Sequence, residues 1–368
     1  MTTATADGSR SLSTRYADLL WDAVLRSDEY AAVDITVDAL RDGLDVESVL
    51  LDVIGVVQAR AGAEWAANRI SVAQEHAATA INDRVIGTLT LARDRPEARL
   101  GRITVACVDG EWHALPARLL AEVLTLRGFT VDYLGAQVPT PHLITHLHRT
   151  GPDAVALSGM IATRLPVAHA TISACQAAGV PVIVGGAAFG PQGRYAELLG
   201  ADAWAPDARS AADRLATSPL PTPQRPHAQP FDDLPHLSDQ EYTLVTRSTT
   251  RLVGAVMQGL EDRVPAMRDY TPIQREHTAE DVRHIVDFLA TALYAGDDEL
   301  FLSFLRWTAG ILEARGVPRS TMPPALELLT AELRDFDRAA RLLGTALDDL
   351  TTGDPTTGDR IHRPGRPA

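Results

Sequence analysis

The sequence predicts three successive regions: a helical bundle, a doubly wound parallel α/β domain, and a second helical domain. Three observations carry this. Apolar residues keep helical spacing between residues 14 and 93. After Arg93-Asp-Arg-Pro-Glu-Ala-Arg99 the pattern changes to short apolar runs alternating with helical stretches. Residues 217–237, with Pro219, Pro221, Pro223, Pro226, Pro230 and Pro235, then read as an extended linker before helical spacing returns. At 368 residues the chain is long enough for two or three domains.

In the first region, 14–93, Tyr16, Leu19, Leu20 and Ala23 share one face of a helix that ends near Leu25. Asp28–Leu40 repeats the pattern, and Gly43 supplies a stop. Asp45–Ala63 and Ser71–Ala92 complete four helices with short connections, as in an antiparallel four-helix bundle.

The second region, 100–216, alternates strand-like and helical runs. The strand candidates are Ile103–Val108, Phe129–Leu134, Ala154–Gly159, Val182–Val184 and Ala203–Ala205. Between them lie Ala117–Arg127, His142–Thr150, Val167–Ala178 and Tyr195–Leu199. Such alternation predicts a parallel sheet of flavodoxin-like type. Beyond the linker, 238–350 is helical, with amphipathic stretches at 239–263, 278–295, 297–315 and 323–349. The tail 351–368 is rich in Pro, Gly and Arg and is expected to be disordered.

Composition narrows the function classes. A net charge of −14 disfavours a partner gripped through its phosphates. No apolar run approaches the length of a membrane span, and the first residues lack the apolar core of a secretion signal. A cytoplasmic protein is expected. Cys107 and Cys175 both lie in apolar segments, so neither a disulfide framework nor a cysteine metal site is expected.

The turn Gly110-Glu111-Trp112-His113 follows the first strand and precedes a helix, the place where α/β sheets hold their ligands. His113 offers an imidazole there, read as the lower axial ligand of a cobalamin cobalt. Two further features accompany it: Trp65-x9-Glu75-His76 at the end of the bundle, and Ser158 and Gly185-Gly186 at the ends of later strands.

Together these features resemble the cobalamin-binding module of CarH-type photoreceptors. The resemblance implies that Trp65 covers the upper face of adenosylcobalamin and that Glu75 and His76 contact its adenosyl group. It further implies that His113 binds cobalt, Glu111 orients His113, Ser158 hydrogen-bonds the nucleotide tail, and Gly185 and Gly186 let the backbone approach that tail. This chain departs from the fingerprint Asp-x-His-x-x-Gly at two positions, with Glu111 for Asp and Pro116 for the last Gly. Ala66 stands where the family places a His after the Trp, so a lit state would be water-ligated or use His76. No basic helix-turn-helix precedes residue 14, so DNA-binding output is not expected.

The third region clusters His277, His284, Phe288, Tyr294, Phe301, Phe304 and Trp307, with Arg251, Arg283 and Arg306 near them. The set suits either an apolar pocket with cationic rims or a plain helical core with solvated arginines. The three-region order resembles photocobilins, which join a cobalamin photoreceptor module to a globin-like bilin-binding domain. That resemblance implies non-covalent biliverdin, with His277, Arg283, His284 and Trp307 as candidate contacts. It points to a light-sensing, non-enzymatic homo-oligomer, with a dimer interface receiving the signal and an unidentified protein downstream. A corrinoid methyl carrier of a methyltransferase system is the principal alternative, followed by a dark cobalamin or tetrapyrrole sensor.

Overall fold

A computed structural model describes residues 2–91, 97–223 and 239–352 of the chain. The chain divides into two compact units, Met1–His227 and Ala228–Ala368. The start of the expected linker is described only to residue 223, and residues 353–368 of the expected tail lie outside the described residues.

The first unit opens with four helical segments. They are α1 (Thr2–Leu25), α2 (Glu29–Arg41), an α3 assembled from Val46–Ser48, Val49–Ile54 and Gly55–Ala66, and α4 (Val72–Leu91). Asp28 and Asp45 cap α2 and α3, each side chain accepting a backbone N–H three residues on. Leu20, Leu50, Ile54 and Ile86 are wholly buried in the common core. Each contributes roughly 1.5–3 kcal/mol by leaving water. The predicted third helix is not uniform: Val49–Ile54 is wound as a π-helix. Helix α1 begins well before residue 14.

Five strands follow: β1 (Leu100–Cys107), β2 (Phe129–Gly135), β3 (Ala154–Ser158), β4 (Val182–Gly185) and β5 (Ala203–Trp204). They pair in parallel in the order β2-β1-β3-β4-β5. Alternating with them are α5 (Ala114–Leu126), α6 (Thr140–Thr150), α7 (Leu165–Ala177) and α8 (Arg194–Leu198), with α9 (Ala208–Thr217) after β5. Helices α5 and α9 pack together, as do α6 and α7. Because helices cover the sheet, the central strands are buried and read as unbroken apolar runs. The expected flavodoxin-like sheet is present.

Bundle and sheet share one unit because α5 serves both. Leu115 and Leu119 on α5 belong to the bundle core, while Ala117, Ala121 and Leu124 face the sheet core. Charge pairs reinforce the seam. Arg209 on α9 reaches Asp52 in the π-helical turn at 2.7 Å, and Arg127 reaches Glu47 at 2.7 Å. Leu220 is also buried in the sheet core, so the expected linker does not leave the domain at residue 217.

The second unit is helical: α10 (Glu241–Arg263), α11 (Pro272–Ala295), α12 (Asp298–Ala314), α13 (Pro323–Glu332) and α14 (Asp337–Thr352). Two boundaries differ from the expected ones. Helix α11 starts six residues before 278, because Thr271 and Gln274 form a capping box with Pro272 at the first helical position. The stretch 323–349 is two helices, broken around Leu333–Phe336. Buried Glu241 explains the restart, since its two oxygens accept the Arg338 and Ala339 N–H groups at the start of α14. No helix among the described residues is long and apolar enough to cross a membrane.

Candidate cofactor site

The strand order reverses direction at β1. From β1 the chain passes through α5 to β2 on one side, while β3 lies on the other. A crevice opens at the carboxyl ends of strands beside such a switch point. Cys107, Ser158 and Gly185 end β1, β3 and β4 and stand in register across this edge.

The turn after β1 is held from below. Val108 donates its N–H to the Ser158 carbonyl at 2.9 Å, and Glu111 N–H returns to the Val108 carbonyl at 2.8 Å. Gly110 sits at φ +77, a conformation that favours glycine. Glu111 is wholly buried. One carboxylate oxygen lies 2.6 Å from His113 Nδ1 and accepts the His113 N–H at 3.0 Å. The other accepts the Met160 and Ile161 N–H groups at 2.8 and 3.0 Å. Burial alone would raise this carboxyl, but the hydrogen bonds from His113, Met160 and Ile161 outweigh it and hold the pKa at about 2. Glu111 therefore does more than orient one ring; it ties the β1 turn to the β3 turn.

With Nδ1 engaged, His113 has Nε2 left as its free ring nitrogen, and the side chain is about a third exposed. A carboxylate on the far nitrogen fixes the tautomer and raises the basicity of a metal-binding imidazole. Among the described residues no group of three or more His, Cys, Asp or Glu side chains comes together to cage a bare ion. The donor set fits a metal that brings its other ligands with it, as in a corrin. Pro116 occupies the first turn of α5, where its missing N–H costs nothing.

The glycines serve the fold first. Gly186 has φ +99, and a Cβ there would run into the Gly159 backbone. Gly185 would meet the Ala205 carbonyl at 3.1 Å. Ser158 is buried between the strand ends.

From the bundle, His76 approaches the same turn. Its ring lies 6.3 Å from that of Trp112, which stacks on His113 at 4.0 Å. His76 Nδ1 is 2.8 Å from Glu75. Glu75 accepts from the Thr79 hydroxyl, Thr79 accepts from Gln58, and Asn82 donates to Gln58. A hydrogen-bonded chain thus runs from exposed His76 to fully buried Asn82. Trp65 is half-buried and packs against the bundle core. Sequence reading missed Gln58, Thr79 and Asn82, although Glu75, Thr79 and Asn82 follow helical spacing along one face of α4. It also missed Trp112 as the ring between the two histidines.

The candidates of the second unit lie elsewhere. His277, Arg283 and His284 are exposed along α11, and Trp307 is exposed on α12. Phe288 and Phe304 stack at 3.8 Å between these helices. Two of the expected cationic rim residues pair with carboxylates. Arg251 pairs with Glu332 at 2.5 Å, and Arg306 pairs with Glu299 and Asp349 at 2.7 and 2.9 Å. They tie helices together.

Two family profiles match the chain, each described as a B12 binding domain, over residues 16–90 and 101–216. The trimethylamine corrinoid protein of Methanosarcina barkeri is 21% identical over 201 residues, which is 53% of this chain and 92% of that protein. Among solved structures, the monomethylamine corrinoid protein of Methanosarcina barkeri superposes with a TM-score of 0.48 at 22% identity, covering 56% of this chain and 99% of its own. A cobalamin-binding protein of Desulfitobacterium hafniense gives 0.31 at 20% identity, covering 55% of this chain and 97% of its own.

Proposed function

On the premise that residues 16–90 and 101–216 form a cobalamin-binding module, we propose that the protein is a light-responsive sensor using adenosylcobalamin. The observation that carries this reading is the approach of His76, with its hydrogen-bonded chain into the bundle, to the turn that bears His113. Bound here, cobalamin supplies a cobalt–carbon bond that visible light breaks. His113 would bind the cobalt through Nε2, with Glu111 fixing its ring. Trp65, Glu75 and His76 would cover the cofactor from the bundle side and contact the adenosyl group. Once that contact is lost, the chain from His76 to Asn82 rearranges and the bundle changes its packing on α5. The signal passes on through contact between copies of the chain or with another protein. The second unit adds a non-covalent bilin, biliverdin, with His277, Arg283, His284 and Trp307 as its contacts.

A second reading is a corrinoid methyl carrier. The trimethylamine corrinoid protein, matched over 92% of its length, favours it, and on the comparisons alone it has the stronger support. His113 and Glu111 keep the same roles there, while the upper face stays open to a methyl donor.

Absorption spectra separate the two. Protein supplied with adenosylcobalamin and biliverdin, kept anaerobic, is illuminated with green light. The sensor retains the adenosyl form in the dark, loses its bands in light and carries a separate red bilin band. A carrier prefers the methyl form and takes up no bilin.

A further inference from the structure

The loop after β3 holds a cation that the site described so far does not use. Arg164 lies over Gly110. A Cβ built on Gly110 would stand 2.9 Å from Arg164 Nη1 and 3.0 Å from Cζ, so the guanidinium fills the space a side chain would take. Gly110 is in the turn that bears His113. The Arg164 Nε is buried and has no hydrogen-bond partner.

A buried guanidinium donor without an acceptor is costly. Elsewhere in this acidic chain arginines find carboxylates, as Arg102, Arg127, Arg209 and Arg306 do. Of the two carboxylates flanking Gly110 in sequence, Glu111 is already filled by His113, Met160 and Ile161, and Asp109 makes no ion pair to Arg164. No ion pair to Arg164 occurs among the described residues. The turns after β1 and β3 therefore present a fixed, uncompensated positive fork beside the cofactor-bearing histidine. A planar fork of this kind is made for an oxyanion.

Cobalamin carries one anionic group outside the cobalt's own charge, the phosphodiester of its nucleotide tail. We propose that Arg164 binds this phosphodiester and makes the site selective for a complete corrinoid over one lacking the tail. The proposal rests on the cobalamin reading of the module and assigns a role to a residue outside the His113 fingerprint. It also gives Gly110 a purpose: the glycine leaves the guanidinium room to lie flat.

The test is affinity for hydroxocobalamin and for diaquocobinamide, which lacks phosphodiester and nucleotide, measured by absorbance titration and equilibrium dialysis. The full chain, Arg164→Gln and Arg164→Lys are compared. The expected result is a loss of about ten- to a hundredfold in hydroxocobalamin affinity for Arg164→Gln. Arg164→Lys should recover part of the loss, and cobinamide binding should be unchanged in both variants. Equal losses for both corrinoids, or no loss for either, overturn the assignment. Failure of the unmodified chain to bind hydroxocobalamin at all would instead sink the cobalamin reading. Thermal unfolding of each variant without corrinoid shows whether the turn has kept its fold; a variant that unfolds early is replaced by Arg164→Met, held to the same two criteria.

Discussion

Glu111 and His113 are bound to one another twice: the same carboxylate oxygen lies 2.6 Å from Nδ1 and accepts the His113 N–H at 3.0 Å. Two residues apart, they form one rigid unit, and the other carboxylate oxygen anchors it to the turn after β3. His113 accordingly presents Nε2 in a fixed direction before any metal arrives, which lowers the cost of binding.

Replacing His113 with Ala should remove cobalt ligation by the protein. In the cobalt(II) form, hyperfine splitting from a protein nitrogen, present in the parent, should be absent in the variant. Affinity should fall at least about tenfold, with a loss of about 1 kcal/mol of stability because buried Glu111 gives up the His113 ring but keeps three backbone N–H groups.

Glu111→Gln reaches further. Gln keeps a single accepting oxygen, so the two N–H groups on its other side, either those of His113 or those of Met160 and Ile161 after β3, face an NH2 group instead of an acceptor. The variant should lose about 1–3 kcal/mol of stability in denaturant unfolding, together with roughly 10–100-fold in corrinoid affinity.

Gly186→Ala tests the claim that the glycine pair serves the fold first. A methyl group at φ +99 collides with the Gly159 backbone. Loss of about 2–4 kcal/mol or failure to fold is expected, and thermal unfolding without corrinoid reads it. Normal stability combined with lost corrinoid binding would return these glycines to the cofactor alone.

Both thiols should be silent in the folded chain. Burial pushes Cys107 and Cys175 up to about 12, so neither forms thiolate at pH 8. A thiol reagent should label neither in the native state and both in denaturant. Rapid native labelling would show that the sheet core opens easily.

Much of this architecture was legible in the sequence because its signals were local. The period change near residue 100 marked the sheet, since buried parallel strands must be apolar throughout. His113 and Glu111 stood out because they lie in a strand-to-helix turn at the carboxyl edge of the sheet, where such folds hold their ligands. Other features depend on contacts between distant segments. The π-helical turn at Val49–Ile54 pairs Asp52 with Arg209, more than 150 residues away. The end of 323–349 as one helix depends on Glu241, which reaches in from α10 to cap α14. Arg164 resembles any loop arginine until Gly110 is seen beneath it. In the second unit, composition suggested a cationic rim, whereas Arg251 and Arg306 are held by carboxylates on neighbouring helices.

Light sensing is tested most directly by hydrogen–deuterium exchange of protein loaded with adenosylcobalamin, compared in the dark and after green light. Exchange should be faster after light in Val72–Leu91 and in the turn around Gly110–His113, with the core of β3 and β4 unchanged. Identical exchange in both states, measured on protein whose cobalt–carbon bond has demonstrably broken, would contradict it and leave the methyl carrier as the better description.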